Sequence, residues 1–295
     1  MSTGLSRLFD AETMRSYEGA GLLARRLVRG RLRAERRSFT RGMSVEFAEY
    51  RPFVSGDDWR AIDWHAYARW RQLVLKLFVE EEDLHVHLLL DCSRSMDWGM
   101  PTKFDQARRV LAGLAYLALA NLDRAAFVPL WSSSGKGFPP CRGRNRFPSL
   151  LSAVADCPAD GGAVGLNDSV RTWLRSRPRR GLVILISDLF GTDDGDARLA
   201  MDRIRHAGHE VGVIQTLTSD EIHAPNPGEY EFEDCESGLV RQIVIDPAAA
   251  TRFEDRARTF LATVDSHARR HALSFLRIQN DTPISGVLSS VLAWR

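Results

Sequence analysis

The sequence predicts an α/β fold: a doubly wound, mostly parallel sheet with a small, mainly β elaboration on its N-terminal side. Three observations carry this. Short runs of aliphatic residues, Leu88-Leu-Leu90, Leu182-Val-Ile-Leu-Ile186 and Val211-Gly-Val-Ile214, recur between amphipathic helical stretches. Such runs are continuous where a strand is buried on both faces of a parallel sheet. Two of them stop at an aspartate, Asp91 and Asp188, and open α/β sheets deliver their functional groups at the carboxyl ends of strands. Before the first run the texture differs: Val45 and Phe47 alternate, as do Leu73, Leu75 and Leu77, around Pro52 and the turn Ser55-Gly-Asp57. That is the pattern of short antiparallel strands.

The chain divides on this reading into a basic helical arm (1–41), a small β-rich subdomain (42–82) and the sheet domain (83–295). The arm holds nine arginines between Arg15 and Arg41 against Glu18 and Glu35, with Leu22, Leu23, Leu27 and Val28 as its apolar positions. In the subdomain, Trp59, Trp64 and Trp70 are expected to form the core. In the sheet domain a helix from about Lys103 to Asn121 presents Phe104, Ala107, Leu111, Leu114 and Ala118 on one face. A strand over Ala125–Trp131 follows, where Pro129 predicts an edge position or a bulge. Two short helices flank the turn at Asp160–Gly165, and a helix over 196–206 lies between the second and third aliphatic strands. Ala224-Pro-Asn-Pro-Gly228 opens a hairpin around Glu236-Ser-Gly238, and a long helix near 248–271, a strand over 273–278 and a final helix close the chain.

Composition narrows the function classes. The 295 residues carry a formal net charge of +2, which demands no acidic partner. Four scattered cysteines without C-x-x-C spacing suggest neither a zinc site nor a disulfide framework. The N-terminus has no signal pattern and no apolar run is long enough to cross a bilayer, so a cytoplasmic protein without integral membrane association is expected. Ser134-Gly-Lys136 lacks the first glycine and the hydroxyl of a phosphate loop.

The chemistry concentrates at Asp91-Cys-Ser93-Arg-Ser95. A carboxylate and two alternating hydroxyls at a strand end are hard oxygen donors of the kind Mg²⁺ prefers. A second strand-end carboxylate, Asp188, can reach the same crevice. The metal set read here is Asp91, Ser93, Ser95 and Asp188, for Mg²⁺, with Mn²⁺ or Ca²⁺ as substitutes. The competing structural reading makes Asp91 a helix cap and the serines turn residues.

These residues, with Met96 and Ile186-Ser187-Asp188, resemble the metal-ion-dependent adhesion site of von Willebrand factor A domains, a Rossmann-like fold. The stretch before them, Glu46-Phe47, Glu49, Arg51-Pro52, Gly56-Asp57-Asp58, Ile62-Asp63-Trp64 and Ala68-Arg69, resembles a bacterial family known as domain of unknown function 58. The resemblance implies a von Willebrand A-like domain acting as a non-enzymatic adaptor or co-chaperone for a MoxR-type AAA+ ATPase. It also implies a site where bound metal accepts a Glu or Asp from the partner. One departure stands out: the glycine-rich turn that carries a threonine ligand in adhesion sites reads Gly161-Gly-Ala163-Val164-Gly165 here. Water, Asn167 or Asp168 is the available substitute.

Two further functions compete. A metal-dependent phosphohydrolase would use Asp91 as nucleophile, but the second acid two residues on is Ser93, and no lysine adjoins a strand end in sequence. Nucleic-acid binding would use the arginine arm and the tryptophans. Two histidine pairs, His85 with His87 and His267 with His271, have metal-compatible spacing but no third ligand nearby in sequence.

Overall fold

The computed structural model describes residues 8–21, 37–40, 46–81, 84–131, 135–161, 165–191, 195–234 and 238–294. It divides into two compact units, Leu23–Asp83 and Met1–Leu22 with Leu84–Arg295. The chain opens with a helix, α1, over residues 11–21.

In the smaller unit, β1 (Arg37–Thr40), β2 (Glu46–Pro52) and β3 (Val74–Glu81) form an antiparallel sheet in the order β1-β3-β2. Three aspartates organise the connection from β2 to β3. Asp57 Oδ2 accepts from Arg51 Nη2 at 2.7 Å and from Val54 N at 3.0 Å. Asp58 caps a single 3₁₀ turn, Trp59–Ala61. Asp63 caps α2 (Trp64–Trp70), accepting from His65 N and Ala66 N, while its other oxygen accepts Tyr50 Oη at 3.0 Å. Each cap satisfies backbone donors that the first turn cannot pair internally.

The tryptophans are not this subdomain's core. Trp59, Trp64 and Trp70 are 63%, 56% and 53% exposed, and Ile62, Ala66, Val74 and Leu75 are buried instead. A helix of seven residues covers little of a sheet, and Ala66 takes its inward position. The indoles at the two ends of α2 are left outside, Trp70 meeting the Tyr50 ring edge-on at 5.1 Å.

The larger unit runs β4 (His85–Asp91), α3 (Lys103–Ala120), β5 (Arg124–Leu130), β6 (Phe138–Arg142), α4 (Phe147–Ala155), α5 (Leu166–Arg175), β7 (Leu182–Ser187), α6 (Asp196–His206) and β8 (Glu210–Leu217). The hairpin β9 (Gly228–Glu233) and β10 (Val240–Ile245), α7 (Pro247–Arg270), β11 (Ser274–Gln279) and α8 (Ile284–Leu292) follow. The hairpin pairs as a separate two-stranded sheet, and residues 235–237 at its turn lie outside the described residues. The six-stranded sheet has the order β11-β8-β7-β4-β5-β6, parallel except for β6. From β4 the chain goes to β5 on one side, then crosses to β7 on the other. The order therefore reverses at β4, and a crevice opens at the carboxyl ends of β4 and β7.

On one face Leu89, Val183, Leu185, Val211 and Val213 pack against Leu166 and Val170 of α5, Met201 and Ile204 of α6 and Val264 of α7. Elsewhere in the unit α3 meets α1 and α8 so closely that a Cβ on Gly113 would lie 2.9 Å from both the Tyr17 ring and Leu288. Tyr17 is fully buried, its hydroxyl donates to the Arg109 carbonyl at 2.6 Å, and Arg109 Nε donates to the Leu8 carbonyl at 2.9 Å. Of the expected basic arm, residues 8–21 pack on α3 and Arg37–Thr40 form β1, while Leu22, Leu23, Leu27, Val28 and most of the arginines lie outside the described residues. β5 is not the outermost strand of the sheet, but Pro129 stands where the β6 side of β5 is open, the edge position the sequence predicts. It pairs with Leu90 in the parallel ladder, beyond the last β6 partner of β5, so its missing N–H interrupts no antiparallel bond.

The approach of β7 to β4 begins at Gly181, where a Cβ would fall 2.1 Å from the His85 carbonyl oxygen. Backbone cannot yield as a side chain can. Gly181→Ala is expected to destabilise the fold by about 1–3 kcal/mol, read as a lower urea midpoint at unchanged slope. An unaltered midpoint would contradict this contact.

Candidate functional site at the strand tips

Asp91 ends β4 fully buried. Its Oδ1 accepts from Ser93 N at 2.9 Å and its Oδ2 from the hydroxyl of Ser187, the last residue of β7, at 2.5 Å. Ser95 Oγ donates to Asp188 Oδ2 at 2.9 Å, and the Ser93 and Ser95 hydroxyls lie 2.9 Å apart. A hydroxyl has one proton, so with Ser95 donating to Asp188, Ser93 donates to Ser95. Asp188 is held by its own turn: Phe190 N donates to Oδ1 at 3.0 Å, and Leu189 adopts a left-handed φ of 64°. That conformation costs a branched residue free energy and persists only where the surroundings impose it. The structure thus brings all four sequence-derived residues together. Asp91, Ser93 and Asp188 are buried and Ser95 is the half-buried member.

Two residues that sequence reading left out complete the cluster. The Lys103 ammonium, fully buried at the first position of α3, donates to Asp188 Oδ2 at 2.7 Å and to Glu221 Oε1. Glu221 accepts Thr218 N through its other oxygen at 2.8 Å, closing a capping box just past β8. Both carried a local signal. Thr218-x-x-Glu221 is a capping-box spacing, and a lysine in the first turn of a helix opposes the macrodipole unless an acid holds it there.

Of the three carboxylates here, Asp188 and Glu221 share one ammonium. Burial alone depresses the Lys103 ammonium, but Asp188 and Glu221 outweigh it and hold its pKa above the ordinary value. Asp91 is pushed up to about 7, first by burial and then by the charge of Asp188, with the Ser187 and Ser93 hydrogen bonds offsetting part.

Gly161, at the start of the glycine-rich turn, lies beside the Asp91–Ser95 loop. Gly161 N donates to the Cys92 carbonyl at 2.9 Å, and Gly161 bridges Ser93; a Cβ there would stand 2.7 Å from the Cys92 oxygen. Ala163 and Val164 lie outside the described residues. The expected substitutes are engaged elsewhere: Asn167 Oδ1 accepts from Arg203 Nε at 2.5 Å, and Asp168 pairs with Arg171 at 3.0 Å. Cys92 and Cys157, 65 residues apart, meet as free buried thiols with their sulfurs 3.5 Å apart.

The donors suit a hard divalent ion. Two hydroxyls and two carboxylates are oxygen ligands, and the surrounding charge is net negative. A cation arriving at Asp188 must compete with Ser95 and Lys103, which both hold Oδ2. The other sequence-derived histidine pair is remote from this cluster, at the opposite end of β4. His87 is buried, with Nε2 2.8 Å from the Arg179 carbonyl and its ring against Trp173 and His209. It is a packed, hydrogen-bonded histidine.

An uncharacterized protein of Mycobacterium tuberculosis is 29% identical over 244 residues, which are 81% of this chain and 76% of its own length. One from Mycobacterium avium is 27% identical over 147 residues, 48% of this chain and 84% of its own. Among solved structures, the conserved hypothetical protein BatB from Bacteroides thetaiotaomicron aligns over 70% of this chain and 97% of its own, at 16% identity and a TM-score of 0.44. An aerotolerance-related membrane protein from Bacteroides fragilis aligns over 71% and 98%, at 15% identity and 0.43. Among the described residues no helix is long and apolar enough to cross a membrane. Residues 49–262, well over half of the chain, match the family described as "Protein of unknown function DUF58", and the chain belongs to that family.

Proposed function

We propose that the chain is a non-enzymatic adaptor built on a von Willebrand factor A-like domain. Its strand-tip cluster docks a partner's Glu or Asp through Mg²⁺, and the partner is a MoxR-type AAA+ ATPase. One observation carries the reading: Asp91 and Asp188, 97 positions apart, are joined through Ser93 and Ser95 at the point where the strand order reverses. Asp91, Ser93, Ser95 and Asp188 would hold the ion, which supplies the positive charge and the open position a partner carboxylate needs. Without it Lys103 neutralises part of the cluster, and the remaining negative charge repels an incoming acid.

The burial of Asp91 favours docking over catalysis. Both of its oxygens are accepting hydrogen bonds and none of the side chain is exposed, so it is not presented as a nucleophile. Lys103 supplies the strand-end lysine that a phosphohydrolase needs and the local sequence lacks, but its ammonium is committed to two carboxylates. The reading gives the arginine-rich stretch no nucleic-acid role. The four scattered cysteines have no disulfide-framework spacing, and reduced thiols are the cytoplasmic default; we infer a cytoplasmic location.

Three outcomes follow. Capture of a MoxR-type ATPase by the immobilised chain is expected with Mg²⁺ and lost with chelator or in Ser95→Ala; equal capture in chelator would remove the metal from the proposal, and no capture would remove the partner. The raised pKa of Asp91 makes it a destabilising group at neutral pH: its penalty is absent below the unfolded value near 4 and grows as pH rises toward about 7. Melting temperature should therefore fall over that window in wild type and stay flatter in Asp91→Asn, while parallel profiles would count against the buried charge. Lys103→Met leaves Asp188 and Glu221 without their cation and should cost about 3–5 kcal/mol. Added Mg²⁺ should restore more stability to this variant than to wild type. A variant that melts like wild type would show that the ammonium is not holding the cluster.

A further inference from the structure

Away from the strand tips, α6 and α7 bring together three side chains that the reading above does not use. His267 and His271 are four residues apart, on the last turn of α7 and at its cap, so both imidazoles leave the same side of the helix. Their rings lie 4.4 Å apart. The third ligand absent from the local sequence comes from α6: Asp202 Oδ1 is 3.4 Å from His267 Nε2 and 3.9 Å from His271 Nε2. All three ligand atoms lie within 4.8 Å of one another.

The distances are those of ligands, not of a hydrogen-bonded pair. Asp202 Oδ1 and His267 Nε2 are both buried and neither has a hydrogen-bond partner, although Arg205 Nη2 pairs with Asp202 Oδ1 at 3.8 Å. A histidine donating to a carboxylate closes to about 2.7–2.9 Å. Atoms bound about 2.0–2.1 Å from a tetrahedral ion stand about 3.4 Å from each other, which is the separation of His267 from Asp202; His271, at 3.9 Å, must close on the ion. Two imidazoles and one carboxylate leave at least one coordination position for an exogenous ligand. His267 also lines a cleft of about 500 Å³ with Arg198, Arg258 and Arg270. Three guanidiniums oppose a bare cation but favour a metal whose open position carries an anion.

We propose that Asp202, His267 and His271 bind a divalent transition metal of the zinc class, with an oxyanion from the arginine-lined cleft completing its coordination. The ligand types separate this site from the strand tips, since imidazole selects borderline ions and an all-oxygen set selects hard ones.

The full chain, stripped of metal, is titrated with Zn²⁺ by calorimetry and with Co²⁺ by visible absorption. The expected result is one saturable site with tetrahedral Co²⁺ bands, unchanged in Asp91→Asn and Ser95→Ala. Affinity should fall by about 10–100-fold or more in His271→Ala and in Asp202→Asn. Melting of metal-free His271→Ala and Asp202→Asn checks that they fold, and Zn²⁺ should raise their melting temperatures less than that of wild type. No saturable binding, wild-type affinity in both helix variants, or loss of binding through Asp91→Asn instead would overturn the site. Inorganic phosphate should shift the Co²⁺ bands, and bands indifferent to phosphate would overturn the oxyanion.

Discussion

Three carboxylates, Asp91, Asp188 and Glu221, stand at or just past the ends of three neighbouring strands, β4, β7 and β8, and the burial of their charge is the constraint around which the crevice is built. The lone ammonium of Lys103 spans the second and third of them. Asp91 is left with hydrogen bonds alone, which is why its pKa rises while Lys103 stays charged. A buried pair of this kind adds little net stability over an apolar replacement, yet breaking it is costly because the remaining charge has no solvent. The cluster is better understood as a device that fixes geometry: it ties the first turn of α3 to the tips of two strands and so orients the Asp91–Ser95 loop that β4 feeds.

The turn geometry follows from the same demand. Leu189 is held in a left-handed conformation directly after Asp188, and the Ser187 hydroxyl donates to Asp91 while accepting from Leu189 N. One hydroxyl thereby couples the two strand tips. Gly161 is a glycine for a related reason, since its own backbone passes Cys92 too closely for a side chain. Leu189 and Cys92 lie just past strand ends, where backbone polar groups leave the ladder and must find other partners.

Much of this was legible in the sequence because it is periodic or local. Uninterrupted aliphatic runs marked β4, β7 and β8, and the elements α3, α7 and α8 begin and end within a few residues of where spacing predicts. Asp91, Ser93 and Ser95 declare themselves by adjacency, and Asp188 by its place after a similar strand. What failed to show was whatever depends on who lies opposite. Lys103 and Glu221 are 118 positions apart, and neither looks unusual until the parallel order β4-β7-β8 sets α3 above β8. The tryptophans of the small unit misled for the opposite reason: an indole suggests core, but the seven-residue α2 has only a narrow inward side, and Asp63 fixes it so that Ala66 occupies that side. Several motif residues of the family there, Arg51, Asp57, Asp58 and Asp63, are explained by turn and cap bonds.

The same distinction between local and long-range information bears on the two candidate cation sites. At the strand tips the sequence supplies oxygen donors in one loop and the fold adds a competing ammonium, so occupancy depends on what a divalent ion gains over Lys103 at a shared carboxylate. Between α6 and α7 the sequence supplies two imidazoles and the fold adds a carboxylate with no competing hydrogen bond on its Oδ1. An ion leaving water meets resistance from a resident cation in the first case, and in the second from Arg205 beside Asp202 and the three arginines that line the cleft at His267. Each obstacle has its own remedy, a displaced lysine at one site and an accompanying anion at the other. The two sites therefore differ in the ion they select and in the second component each binding event requires.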